Sequence, residues 1–230
     1  MLSADEWSAL LLSLRVSFWS VTLMLVPGVG VAWLLARKRF HGKVLVDALI
    51  HLPLVLPPVV VGYLLLLALG RRGWIGSWMY DAWGVEVAFT WKAAAIASAV
   101  MGFPLLVRAV RLAMELVDVR IEQAARTLGA GPWRVFLTIT LPLSLPGVLA
   151  GSVLAFARSL GEFGATITFA GNIEGVTRTL PVAIYTYTQV PGGDAPAARL
   201  VLVSVALSLA ALVVSEVLAR RIGRRIGTTP

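Results

Sequence analysis

The stretch Glu122-Gln123-Ala124-Ala125-Arg126-Thr127-Leu128-Gly129-Ala130-Gly131, running on through Pro132 to Ile139-Thr140-Leu141-Pro142, is polar and basic and lies between long apolar runs. Asp118 is placed to cap a helix, and Glu122 falls in its early turns, where an acid suits the partial positive charge of a helix N-terminus. Ala124, Ala125 and Leu128 propagate the helix, Gly129 and Gly131 end it, and Pro132 suits the start of a second one. The spacing predicts a helix–turn–helix lying on a membrane face. Small residues at Ala124, Ala125 and Gly129 permit close approach of another surface. A membrane chain has little structural need for so defined an insert between spans, whereas a docking site for a soluble partner supplies one. A helix resting on lipid is the plainer alternative, but lipid contact does not require the Ile139-x-Leu141-Pro142 continuation.

The surroundings of this insert are apolar enough to fix the class. Of 230 residues, 58% are hydrophobic and 14% charged, where a soluble domain carries about 25% charged residues. Mean hydropathy is +0.85. The expectation is an all-α polytopic membrane protein, with residues 1–230 forming one membrane domain. The net charge of +8 could suggest a nucleic-acid partner, but the basic residues flank apolar runs instead of forming a free basic face, so no nucleic acid is expected. There are no cysteines, and His41 and His51 have no metal-ligand neighbours, so no metal or other cofactor is expected in this chain. Asp5 and Glu6 stand where a cleavable signal peptide would be basic, and the apolar run that follows is too long for one.

A helix needs roughly 20 apolar residues to cross a bilayer. The qualifying segments lie near 10–36, 44–70, 88–107, 141–165 and 198–219, which predicts about five spans. Pro53, Pro57 and Pro58 interrupt the second, and Pro146 the fourth. Such breaks survive where neighbours or a cavity satisfy the freed backbone groups. Arg37, Lys38, Arg39 and Lys43 follow the first span. Arg108, Arg111, Arg120, Arg126 and Arg134 follow the third, and Arg220, Arg221, Arg224 and Arg225 the fifth. The positive-inside rule puts these segments in the cytoplasm, with the N-terminus outside, the C-terminus inside and a cytoplasmic loop over about 108–140. Arg71 and Arg72 fall on the outer side and are outvoted.

Arg158 and Glu162 stand four residues apart at the end of the fourth apolar run. Intramembrane charges are costly and face a bundle interior or an aqueous cavity, and at this spacing they can pair. The pair either packs the bundle or, with Ser159, Thr166 and Thr168 offering hydroxyls to an oxyanion, lines the translocation path or its gate. Asp47 and His51, one turn apart, read as interface residues ahead of a proton relay. Arg15 is expected to snorkel outward, and the tryptophans to form an interfacial belt. Between about 166 and 197 an outer segment follows, in which Thr179 to Val190 reads as a short re-entrant or surface helix.

The chain is no motor. Its only Gly-Lys pair, Gly42-Lys43, is followed by Val44 and lacks the upstream glycine of a phosphate-binding loop. Energy must come from a partner or from an ion gradient. The gradient alternative is a secondary transporter with Asp47 or Glu162 carrying protons, and inverted repeats that would favour it are not visible. An intramembrane enzyme lacks a nucleophile–base pair at membrane depth.

The insert resembles the cytoplasmic coupling loop of permease subunits in ATP-driven importers, where an E-A-A motif is followed by Gly and, after a fixed gap, by I-x-L-P. Gly129 and Ile139 stand at that separation. The family's Glu position aligns with Gln123, and the acid sits one residue earlier, at Glu122, so a salt bridge through the family's Glu is not carried over. The resemblance extends over nearly the whole chain. The runs His51-Leu52-Pro53-Leu54-Val55-Leu56-Pro57-Pro58-Val59-Val60-Val61-Gly62-Tyr63, Arg158-Ser159-Leu160-Gly161-Glu162-Phe163-Gly164-Ala165-Thr166 and Thr177-Arg178-Thr179-Leu180-Pro181 look like the molybdate permeases of bacterial ATP-binding-cassette importers. Sulfate and thiosulfate permeases share a similar Leu-Gly-Glu-Phe-Gly run but are longer.

The resemblance implies a type I importer permease fold in the inner (plasma) membrane. It implies a second copy of the chain, two cytoplasmic ATPase subunits that bind the ATP and Mg, and an extracytoplasmic protein that delivers molybdate, with tungstate as a further candidate. It also implies coupling to the ATPase through Glu122, Gln123, Ala124, Ala125, Leu128, Gly129, Ala130, Ile139 and Pro142.

Overall fold

A computed structural model describes residues 2–226. It begins with a 34-residue helix, α1 (Ala4–Arg37). Ser3 and Glu6 cap it reciprocally: the Glu6 N–H donates to Ser3 Oγ and the Ser3 N–H to Glu6 Oε2, satisfying two orphan donors of the first turn. The second apolar run forms two helices, α2 (Lys43–Val55) and α3 (Pro58–Leu69), bent by 112°. Pro53 stays inside α2 without breaking it. The break falls at Leu56 and Pro57, both held extended, because each precedes a proline whose ring excludes the helical conformation. Pro58 then opens α3, where a missing N–H costs nothing.

A short helix, α4 (Gly76–Trp83), which the apolar pattern does not announce, leads to α5 (Trp91–Glu115). α5 continues two turns beyond the expected end at 107, so Arg108 and Arg111 belong to a helix. The connection then holds α6 (Val119–Thr127) and a single turn, α7 (Pro132–Val135). Through a π turn over Phe136–Thr140, α7 runs into α8 (Leu141–Leu160) as one helix of 29 residues. The second member of the expected helix–turn–helix is therefore the foot of a membrane span. Gly161 ends α8 ahead of the expected 165, and α9 (Gly164–Phe169), α10 (Leu180–Thr188) and α11 (Asp194–Ile226) follow. Among the described residues four helices are long and apolar enough to span, or five if α2 and α3 count as one. The side chains of Arg220, Arg221, Arg224 and Arg225, expected to mark the cytoplasmic end, lie outside the described ones.

The core is built on α1, α5 and α8. α1 and α5 run in the same direction: the Arg15 guanidinium lies over the Trp91 ring, Met24 faces Gly102, and Gly28 faces Leu106. α8 runs the opposite way, with Gly147 against Ala113 and Gly151 against Ala109. Small residues at this seam let the backbones approach, which is how helices associate where lipid offers no hydrophobic drive. One apolar cluster gathers around Leu35, Leu106, Val110, Met114 and Phe136, near the end that carries α6. Another, around Val16, Val61, Met101 and Phe169, lies towards the far end. There α9 packs on α3, where a Cβ on Gly62 would stand 2.6 Å from the Ala165 carbonyl oxygen. α10 is packed too: the Leu180 N–H donates to Ser13 Oγ at 2.6 Å, and Leu180 and Ala183 are buried with Leu200 of α11.

Candidate functional site

Two places hold the chemistry: the α5–α8 connection and the α8–α9 break. In the connection, Asp118 caps α6 by accepting the Arg120 N–H at 2.8 Å. The helix ends in a double closure, in which the Gly129 N–H donates to the Arg126 carbonyl and the Ala130 N–H to that of Ala125. Gly129 sits at φ +87°, the left-handed conformation that this closure requires and glycine adopts freely.

Burial on α6 is inverted. Glu122 is its one buried residue, at 2%, while Val119, Ile121 and the following Leu128 are exposed, Leu128 at 89%. Gln123, Ala124 and Arg126 are exposed beside them, and Ala125 and Ala130 are half-buried. A carboxylate thus points into the protein and aliphatic side chains point away. Its partners explain the burial. Glu122 Oε1 accepts from Arg37 Nε at 2.9 Å and from Thr140 Oγ1 at 2.8 Å, and Arg37 Nη2 lies 2.8 Å away. Arg37 also donates to the Val117 carbonyl at 3.0 Å. The local pattern accounts for Glu122 in the first turns through the helix dipole, but no local signal announces Arg37, 85 positions away.

The Ile139-Thr140-Leu141-Pro142 run forms the π turn and its exit. Pro142 has no N–H, and its ring crowds the carbonyl four residues back. The Leu141 N–H correspondingly reaches five residues back, to Phe136. Thr140 is buried in this turn and Ile139 half-buried, while Pro142 is exposed. Trp33 stacks on Trp133 and meets Phe136 edge-on, closing the same end of the bundle.

At the α8–α9 break, Arg158 Nη1 lies 2.6 Å from Glu162 Oε2. Glu162 is buried, and its other oxygen accepts the Ala165 N–H at 2.9 Å. The hydroxyls beside the pair do not converge on it. Ser159 pairs with Ser20 of α1 at 2.7 Å, Thr168 donates to the Gly164 carbonyl, and Thr166 is buried without a partner. Ser20 stands 16 residues after Ala4 and 17 before Arg37, so the break lies level with the middle of α1, about 25 Å from either end at 1.5 Å per residue.

Two smaller groups of polar residues have identifiable partners. Arg15 is exposed, and its guanidinium carbon lies 3.9 Å from the centre of the ring of Trp91, the first residue of α5, a cation–π contact. Asp47 accepts from Arg111 at 2.9 Å and tethers α2 to α5, while His51 Nδ1 lies 2.8 Å from the Asp47 carbonyl oxygen. With Arg108 and Glu115 they line a cleft of about 300 Å³. Among the described residues no group of His, Cys, Asp or Glu is placed to hold a metal ion.

Residues 28–224 match the family described as binding-protein-dependent transport system inner membrane component. The chain is 61% identical over 99% of its length to the molybdenum transport system permease protein ModB of Escherichia coli K12, covering 99% of that protein. It is 58% identical to the protein of the same name from Haemophilus influenzae, with 96% and 97% of the two chains covered. Among solved structures, a chain of the MetNI methionine ABC transporter in inward-facing conformations superposes with a TM-score of 0.72 at 17% identity, covering 95% of this chain and 94% of that one. This last likeness speaks for the fold alone, that of an ATP-binding-cassette importer permease.

Proposed function

Because the chain belongs to the family of binding-protein-dependent transport system inner membrane components, we propose that it is the membrane-spanning subunit of an ATP-binding-cassette importer that carries molybdate into the cytoplasm. The full-length identity to two molybdenum permeases carries the substrate reading. Tungstate, of similar shape and charge, is the further candidate substrate. The chain works as a multi-pass subunit of the inner membrane, with its N-terminus outside and its C-terminus inside.

In this reading α6 and the turn after it form the face that docks on an ATPase. The exposure of Ile121 and Leu128 on a short polar helix supports it, since apolar side chains turned away from the body call for a covering partner. Gln123, Ala124, Ala125, Gly129 and Ala130 complete that face, and Ile139 and Pro142 belong to the foot of α8 behind it. A second copy of the chain, two ATPase subunits that supply ATP and Mg chemistry, and an extracytoplasmic binding protein complete the transporter. ATP-driven closure of the ATPases would alternate the spans between outward-open and inward-open forms.

Arg158 and Glu162 are proposed to border the pathway, with Ser159, Thr166 and Thr168 setting the walls around them. The support is a buried carboxylate paired with a half-buried guanidinium, away from both ends of the bundle and at a break between helices, where intramembrane charges mark ion routes. Ser159 and Thr168 are engaged in hydrogen bonds within the protein, so an anion passing here would meet the unpartnered Thr166 hydroxyl or draw on Arg158 in competition with Glu162.

The test is cellular molybdenum, read by elemental mass spectrometry with and without the gene, at trace molybdate and with excess sulfate. A gene-dependent signal that sulfate leaves intact is the expected result. Unchanged molybdenum with lowered sulfate uptake would move the substrate to sulfate, and loss of uptake on dissipating the proton gradient at constant ATP would refute the ATP-driven reading.

A further inference from the structure

Buried carboxylates need partners, and those of Glu122 join its own helix to two other elements. The residue itself is on α6, Arg37 ends α1, and Thr140 lies in the π turn that opens α8. All three donor atoms meet one oxygen, Glu122 Oε1, at 2.8–2.9 Å. The second oxygen has only Arg126 Nη2, at 3.8 Å. Side-chain exposure is 3% for Glu122 and 11% for Arg37, so water screens the pair little.

α6 has few other holds on the bundle. Glu122 is its only buried side chain, and its apolar residues point outward. The tie to α8 enters at the π turn, where the ladder shifts to five-residue spacing. Such turns inside helices mark functional positions.

We infer that the Glu122 carboxylate is the joint that makes α6, the end of α1 and the foot of α8 move as one body, so that displacement of α6 reaches two spans directly. Glu122 is on this view a positioning residue for transport that touches neither substrate nor nucleotide. Its location one place before the family's Glu position fits this division of labour: Gln123 is exposed on the docking face, and the neighbouring acid faces inward. The transmission half of the inference rests on the reading of α6 as the docking helix, whereas the mechanical half concerns this chain alone.

The chain contains no cysteine, so spin labels can be placed at will. Labels at Arg39 and Thr127, both exposed, report the α1–α6 distance in nanodiscs by pulsed electron resonance. The expected result is a narrow distribution in the parent chain, unchanged between nucleotide-free and ATP-bound complex, and a broad one in Glu122→Gln and in the milder Thr140→Val. Equal widths in parent and variants overturn the joint, as does a parent distance that changes with nucleotide. In the complex reconstituted with its ATPase, Glu122→Gln is expected to keep the ATPase bound and hydrolysing. Molybdate imported per ATP should fall about tenfold or more, the change that losing one charge-assisted hydrogen bond makes. Unchanged import per ATP in a variant with a broadened distance overturns the transmission role. If Glu122→Gln does not fold, Thr140→Val carries both readouts. If no ATPase co-purifies with the parent chain, the docking reading fails while the label distances still decide the joint.

Discussion

Arg158 and Glu162 face each other at 2.6 Å across the point where α8 stops and α9 has not yet begun. Each charge sits where a helix end favours it, the guanidinium in the last turn of α8 and the carboxylate at the first N–H groups of α9. The pair therefore bridges a discontinuity in the bundle as well as neutralising itself.

Removing one partner strands the other. Arg158→Met leaves Glu162 buried and unpaired, and a loss of about 3–5 kcal/mol is expected, measured by denaturant unfolding in detergent. Arg158→Met with Glu162→Met together is expected to recover most of it, since apolar pairs of similar volume replace buried ion pairs at little cost. Molybdate import by the recovered double variant is expected to stay low. Wild-type import would reduce the pair to packing.

Leu128 stands 89% exposed just past the end of α6. Leu128→Asp is expected to change chain stability by no more than about 0.5 kcal/mol, as surface substitutions do. Its effect should appear in co-purification of the ATPase, which is expected to weaken at least tenfold if Leu128 fills a pocket as an interface anchor of about 2 kcal/mol would. Undiminished co-purification would remove Leu128 from the docking face.

A Cβ added at Gly129 meets nothing within 4 Å, but φ there is +87°. Gly129→Asp should fold, with a backbone cost of about 1–2 kcal/mol, and should lose ATPase docking through added bulk and charge. Gly129→Asn, which tolerates the left-handed region, is the control expected to retain more of both. Intact docking and transport in the aspartate variant would take Gly129 off the contact surface.

Gly62 allows α3 to touch α9. A methyl there would stand 2.6 Å from the Ala165 carbonyl oxygen and 2.9 Å from its Cα, both backbone atoms. Gly62→Ala is expected to cost about 1–3 kcal/mol by overpacking. Gly30, whose Cβ would meet nothing within 4 Å, is the matching control in α1. Similar thermal midpoints for the two variants would show that α3 can shift away freely.

What the sequence made legible is what neighbours in the chain decide. The Asp118 cap, the stop at Gly129 and the Arg158–Glu162 spacing are all settled within four residues. α8 reaches back beyond its apolar run because Pro132 starts a helix that does not stop before it, so the Ile139-to-Pro142 motif is helical. At Glu122 the local pattern shows the acid, but Arg37 and Thr140 are brought to it by the packing of α1 and α8. The Ser20–Ser159 contact joins positions 139 apart, so no local pattern shows that Ser159 is engaged, whereas Thr168 bonds the Gly164 carbonyl within its own turn. Of the prolines in the second run, Pro53 and Pro57 look alike locally, yet only the Pro57-Pro58 doublet turns the chain.

α1 begins at a buried acid and ends on another. Glu6, 1% exposed, receives Arg199 of α11 at 2.6 Å, and 31 residues later Arg37 meets Glu122. At 1.5 Å per residue those fastenings are about 47 Å apart, longer than the hydrocarbon is thick. A rod pinned at both ends cannot tilt at one without levering the other. Its weak point is Pro27, where the ladder lacks a bond, next to a glycine that presses on Leu106. Any bend that spares the far pin must be absorbed there.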